Sequence, residues 1–167
     1  AGPSSIIFYK NLITVINAID NRLEFRGRDS LGLSIQLVLD GSDARNYKNT
    51  TAGTDSESVY FEEYGKGKIV TFVFKTANPI GSLGDKARVI KESVRNNVIL
   101  REIIHGNGCE HGSIVIHTRW ASVGEVNVSN CHPVSNAGRG GTLSRPLVLA
   151  SMNGDIYNYK ELIRSHQ

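Results

Sequence analysis

The apolar positions of this chain change period several times, and each change predicts an element. Leu12, Val15, Ile16, Ile19 and Leu23 recur at helical spacing. A helix is therefore predicted with Asn11 as its N-cap and an end near Gly27. Ala1 to Ser5 reads as a loop, because Pro3 is out of place in a central strand. Leu31 to Leu39 mixes alternation with a continuous apolar end and predicts a strand. Residues 40–56 are rich in turn formers and predict an exposed loop. Val59 to Tyr64 and Ile69 to Lys75 flank Gly65-Lys66-Gly67, which is a hairpin signal.

Pro79 and the stretch from Gly81 to Gly84 interrupt the pattern. Ala87, Ile90, Val94 and Val98 then predict a second helix, capped by Asp85. Its β-branched tail, Val98 to Ile104, fits a helix less well. A loop is expected from Gly106 to Gly112, leading into a buried strand at 113–117. No periodicity marks residues 124–145, which read as a long mobile loop. Leu147 to Met152 predicts a second buried strand, and a last helix starts near Tyr157. Strands in hairpins with helices packed on them make this an α+β chain.

The chemistry-bearing residues gather where predicted strands end. Ser113 to Gly124 runs from Ile114-Val115-Ile116 into His117, Thr118, Arg119, Trp120 and Ser122. A guanidinium held at a strand end is suited to gripping a carboxylate through two parallel hydrogen bonds. The same pattern also fits a strand that surfaces and pairs with a nearby acid. Asn153-Gly154 follows a predicted strand and precedes a helix. Backbone approach at a glycine beside an amide donor could stabilise an oxyanion, and Asn-Gly is equally a common turn. Arg26 to Ser30 fits a turn with an internal Arg–Asp pair. His132 before Pro133 fits either a catalytic base or a packed histidine.

Composition narrows the function classes. The 167 residues suffice for about one domain with a real core. A net charge of +3, from 19 basic and 16 acidic residues without a basic run, gives no reason to expect nucleic acid or membrane partners. No apolar run approaches the roughly 18 residues of a membrane span. The two cysteines, Cys109 and Cys131, form no ligand spacing, and His105 and His111 do not complete one, so no metal or cofactor is expected. Cysteine use fits a reducing, cytoplasmic compartment.

Four segments, in order, resemble class II glutamine amidotransferases, in particular the glucosamine-6-phosphate synthase type. Leu23-Glu24-Phe25-Arg26-Gly27-Arg28-Asp29-Ser30 is similar to the family's LEYRGYDS. His117 to Ser122 resembles its HTRWA-T/S. Asn127 to Pro133 ends in Cys-His-Pro, close to N-A-H-P, and Asn153 to Leu162 is similar to NGxIxNYxEL. The resemblance spans about 11–39 and 85–167, and leaves 40–84 as an insertion or variable region. It implies a four-layer αββα N-terminal-nucleophile fold, incomplete at both ends, over a single partial domain at 1–167.

It also implies roles. Arg119, Trp120, Ser122 and His132 would bind glutamine, with Arg119 and Ser122 on its α-carboxylate. Asn153 and Gly154 would stabilise the oxyanion, and Arg26 would order the turn beneath the site, with Asp29 and Ser30 structural. The family hydrolyses glutamine to glutamate and ammonia with an N-terminal cysteine whose own α-amine is the base. Here Ala1 stands first, and neither cysteine carries a free α-amine. The expectation is an upstream piece bearing the nucleophile, with Ala1 in its place as the alternative, and a chain that is inactive as it stands. The resemblance further implies a sugar-phosphate isomerase domain as partner, homo-oligomerisation of the full-length form, and transfer of ammonia to fructose-6-phosphate. Two other readings stay open: a catalytically degenerate binding or scaffolding module, and an asparagine synthetase-like glutaminase, which Asn153 to Tyr159 also resembles.

Overall fold

The computed structural model describes residues 3–19, 27–41, 52–53, 56–77, 84–106, 109–122, 124–137 and 146–166. Over these residues the chain is mixed α+β, with four helices and an antiparallel five-stranded sheet. The strands are β1 (Ser30–Leu39), β2 (Ala52–Gly53), β3 (Glu57–Tyr64), β4 (Gly67–Ala77) and β5 (Cys109–Arg119), in the order β2-β3-β4-β1-β5. Two further strands, β6 (Val134–Ser135) and β7 (Leu149–Ala150), form a separate short ladder. The helices are α1 (Pro3–Ala18), α2 (Asp85–Asn96), α3 (Val98–His105) and α4 (Tyr159–Ser165).

Strand β1 organises the sheet. It pairs with β4 on one side and β5 on the other, with Leu33 opposite both Phe74 and Ile116. Its odd-numbered residues Leu31, Leu33, Ile35, Leu37 and Leu39 join Val70, Phe72 and Phe74 of β4 in the core beneath α1, α2 and α3. Phe72 and Phe74 stack with centroids 6.4 Å apart, and full burial of such a side chain contributes about 1.5–3 kcal/mol. The opposite face, carrying Ser30, Gly32, Ser34 and Gln36 on β1, is polar. The expected hairpin is present: Tyr64 pairs with Gly67, and Gly65 takes the positive φ of 59° that the two-residue turn needs. Far from being peripheral, the 57–77 part of the expected insertion supplies the strand next to β1.

Several expected boundaries are corrected. Helix α1 begins at Pro3 instead of after Asn11, because a proline in the first turn loses no hydrogen bond and arrives with helical φ. Leu12, Ile16 and Ile19 are buried as their spacing predicts, while Val15 faces outward. The α-helix is described through Ala18 and Ile19 follows it in a π-helical turn, while residues 20–26 of its expected continuation lie outside the described residues. Gly84, not Asp85, occupies the N-cap of α2; Asp85 is the first helical residue and pairs with Arg88 at 3.0 Å. One continuous helix past Val98 is replaced by two. Asn97 ends α2 in an extended conformation and caps α3, accepting from the Leu100 N–H at 2.8 Å.

The two strands expected to be buried are also corrected. Strand β5 starts at Cys109, inside the predicted loop, and lies at the sheet edge with Val115 49% exposed. Among the described strands only β1 pairs with it. The 147–152 strand shrinks to Leu149–Ala150 and pairs with β6, so it does not share a sheet with β5. Its preceding N–H groups are taken by side chains: Leu147 donates to Glu62 Oε1 at 2.7 Å and Val148 to Asn136 Oδ1 at 2.8 Å. Helix α4 starts at Tyr159 and buries no residue. Residues 124–137 of the expected mobile loop carry β6, and 138–145 lie outside the described residues. Among the described residues no helix is long and apolar enough to cross a membrane.

Candidate functional site

The end of β5 is fixed by the turn that precedes β1. The Asp29 N–H donates to the Arg119 carbonyl at 3.0 Å, and Asp29 Oδ2 accepts from the Ala121 N–H at 2.6 Å. A carboxylate with two acceptor oxygens can continue the ladder where regular pairing stops. Gly27 enables this approach, since a Cβ there would sit 2.6 Å from Thr118. Both of these Asp29 hydrogen bonds go to backbone groups across the sheet. Arg26 lies outside the described residues.

Beyond the strand end, Ser122 Oγ donates to Asp155 Oδ1 at 3.0 Å, bridging 33 residues of sequence. This contact joins the Arg119–Ser122 run to the Asn153–Asp155 run even though their strands belong to different ladders. Asn153 and Gly154 are both exposed, and a Cβ at Gly154 would meet nothing within 4 Å. Their surroundings are thus open to a ligand. Trp120 is 69% exposed at the rim.

Arg119 is half-buried. Its Nη1 donates to the Glu125 carbonyl at 3.3 Å, an oxygen that also accepts from Asn130 Nδ2 at 3.0 Å. Gly124, at φ 87°, turns the chain so that this carbonyl can face the guanidinium. Asn127 Oδ1 closes the loop by accepting from the Asn130 N–H at 2.8 Å. A short polar loop thus orients the arginine from the far side of the strand.

On the polar face of the sheet His117 meets His132. His132 Nδ1 lies 3.5 Å from His117 Nε2, with the rings edge to face at 4.5 Å between centroids. The segment bearing His132 lies directly on β1, where a Cβ at Gly32 would collide with the His132 carbonyl. Burial pushes both imidazoles below the ordinary histidine range, and neighbouring Arg119 adds to this. His117 and Lys75 press His132 further down, whereas the nearby Met152 backbone partly offsets the shift at His117. His117 Nδ1 is buried and closes no hydrogen bond. His132 thus packs against His117 with two cations, Arg119 and Lys75, nearby.

Both thiols are unsuited to nucleophilic work. Cys131 is buried, and desolvation raises its pKa above the ordinary value despite Ser30, Lys75, Thr76 and Arg119, which pull the other way. Burial likewise raises Cys109. Among the described residues no group of three or more His, Cys, Asp or Glu side chains could hold a metal ion.

The structure thus joins the Arg119–Ser122 run to the Asn153–Asp155 run through the Ser122–Asp155 hydrogen bond, and His117 to His132 through their ring contact. Sequence reasoning missed Asp155, whose carboxylate adds an anion to the site. A signal was available: an acid directly after Asn-Gly is a charged residue at a turn that spacing already singled out. No protein-family model matches the chain, and no solved structure matches its fold.

Proposed function

We propose that this chain is the glutamine-binding part of a class II amidotransferase domain of the glucosamine-6-phosphate synthase type. One observation carries the reading: the four resembling segments are separate in sequence and join through specific contacts. Asp29 holds Ala121, Ser122 holds Asp155, and His132 meets His117. Four chance resemblances would have no reason to touch.

In this reading Arg119 receives the α-carboxylate of glutamine as a two-pronged hydrogen-bond donor. Ser122 is positioned beside it, and Trp120 covers the rim. Asn153 and the Gly154 N–H take the amide carbonyl as its oxygen gains charge. The nucleophile is a cysteine with a free α-amine, a requirement that neither Cys109 nor Cys131 meets. Ammonia then passes to a sugar phosphate on a partner isomerase domain of a cytoplasmic, oligomeric enzyme. Helices on one face of the five-stranded sheet and a short second ladder near the other support the four-layer αββα arrangement.

The test is titration of the chain with L-glutamine, followed by NMR at the Arg119, Ser122 and Gly154 amides. Saturable shifts at these positions, absent with D-glutamine and lost in Arg119→Ala, are expected. Absence of any saturable shift at these positions would remove the amidotransferase reading.

A further inference from the structure

On the polar face of the sheet, away from the Arg119 site, lies a cleft of about 350 Å³. That volume is at the lower end of the roughly 300–1,000 Å³ range of small-molecule sites. Its floor is Ser34 and Gln36 of β1 with Ser113 of β5, where Gln36 and Ser113 are register partners. Its walls are Val115 and the Leu147–Leu149 strap. We propose that this cleft binds a small uncharged molecule that carries an amide or hydroxyl group on an aliphatic tail.

Three observations carry the proposal. The first is that the roof is fastened. Glu62 Oε1 holds the Leu147 N–H at 2.7 Å from the β3 side. From the β6 side Asn136 holds the strap through Pro146 O at 2.9 Å, the Val148 N–H at 2.8 Å and Val148 O at 3.2 Å. Four hydrogen bonds from two sides keep the strap over the sheet, so the space below it is defined by the fold.

The second is the polarity of the floor. Ser34, Gln36 and Ser113 line it, and Ser34 is only 5% exposed. A hydroxyl and a carboxamide each offer both a donor and an acceptor, so this floor can match an amide or hydroxyl of a ligand. The third is what the lining lacks. Among the described residues no charged side chain lines the cleft, so an ionic ligand would lose its hydration without gaining a partner there. Among the same residues no aromatic ring lines it, which disfavours planar ring systems. Val115 and the strap leucines remain for an aliphatic tail.

The proposal does not rest on the amidotransferase reading, because none of these residues belongs to the Arg119 site. Three probes sharing one branched tail test it on the full chain: isovaleramide, isovalerate and isoamylamine. Isovaleramide should give saturable NMR shifts at the Gln36 side-chain amide and at the Ser34, Ser113 and Leu149 backbone amides. As a fragment it should bind in the millimolar range. The two charged analogues should bind at least about tenfold more weakly. Val115→Trp, from the wall, or Leu149→Trp, from the roof, should abolish the shifts by filling the space, and circular dichroism identifies which variant remains folded. Shifts that fail to saturate, equal affinity for all three probes, or undiminished binding by a folded tryptophan variant would overturn the proposal.

Discussion

His117 and His132 sit with ring nitrogens 3.5 Å apart, in contact across the join between the main sheet and the segment leading to β6. The groups facing the pair are Arg119 and Lys75, both cationic, with the Cys131 thiol beside them. A proton on either ring is thus disfavoured by burial first and by these charges second.

The pH dependence follows from linkage. Folded-state pKa values below the ordinary histidine value mean that the unfolded chain binds more protons, so stability increases with pH. The contribution is fully present above about pH 6.5, and is lost as pH falls below that value toward the folded-state values. Urea unfolding from pH 5 to 8 should show this slope. His132→Phe keeps a ring against His117 and should flatten it; an unchanged slope in that variant would remove His132 as its source.

Arg119→Lys tests the guanidinium. An ammonium keeps the charge and loses the planar fork, and it also gives up the geometry set by the Glu125 carbonyl. Glutamine affinity should fall by about tenfold or more, which corresponds to losing one charge-assisted hydrogen bond of about 1.5–3 kcal/mol. Calorimetric titration measures it, and an unaltered affinity would place the α-carboxylate elsewhere.

How far the sequence could lead differs between fold and site. Strand β1 and the Gly65 hairpin were legible because period-2 apolar patterning and a glycine turn are local signals. The start of α1 was not: Pro3 argues against a strand and in favour of a first helical turn, and the loop reading ignored the second. Asn97 was hidden for a related reason. Its role as the cap of α3 depends on ending α2, and the apolar spacing from Ala87 to Val98 continues across it. At the candidate site, the four short segments could be singled out in the sequence, whereas the contacts between them could not. The bonds made by Asp29 to Ala121 and by Ser122 to Asp155 are long-range, and no spacing encodes them.

Asn97→Ala should be one of the costlier polar substitutions in the chain. Its Oδ1 caps α3 and its Nδ2 donates to Glu57 Oε1 at 2.6 Å, while the residue itself is buried. Loss of a cap alone costs about 0.5–2 kcal/mol. Losing the hydrogen bond from Nδ2 to Glu57 adds to that. Chemical denaturation should therefore give a loss at or above the upper end of the capping range. Asn97→Asp, which keeps the acceptor and brings a second carboxylate to Glu57, should recover only part of it. Full stability in Asn97→Ala would mean that solvent replaces both bonds.

Gly32→Ala probes how the His132 segment sits on the sheet. The added methyl would occupy the place of the His132 carbonyl, so backbone has to move. Overpacking of this kind costs about 1–3 kcal/mol or more, and it should also separate the imidazoles. Thermal unfolding reports the first effect, and the histidine ring resonances report the second. A useful contrast is Gly65→Ala, where the space is open and only the positive φ is penalised. If Gly32→Ala melts no lower than Gly65→Ala, the segment is not seated on β1 as described.

Hydrolysis itself gives the sharpest outcome. In the proposed amidotransferase reaction a thiolate attacks the carboxamide carbon, and the α-amine of the same cysteine takes up and returns the proton. Burial raises the pKa of both thiols, which disfavours the thiolate, and the buried Cys131 sulfur lies against the Thr76 and His132 carbonyls. The 167-residue chain should accordingly release no ammonia from glutamine above the uncatalysed rate, as read by a coupled glutamate dehydrogenase assay. Sustained release from a sequence-verified sample, abolished by Cys131→Ala or Cys109→Ala, would identify a different nucleophile and a different chemistry. Release that survives both substitutions would exclude a thiol mechanism altogether. With no release, the site's remaining property is recognition, and the Arg119 titration becomes the measurement that decides between a glutamine-binding domain and a scaffold.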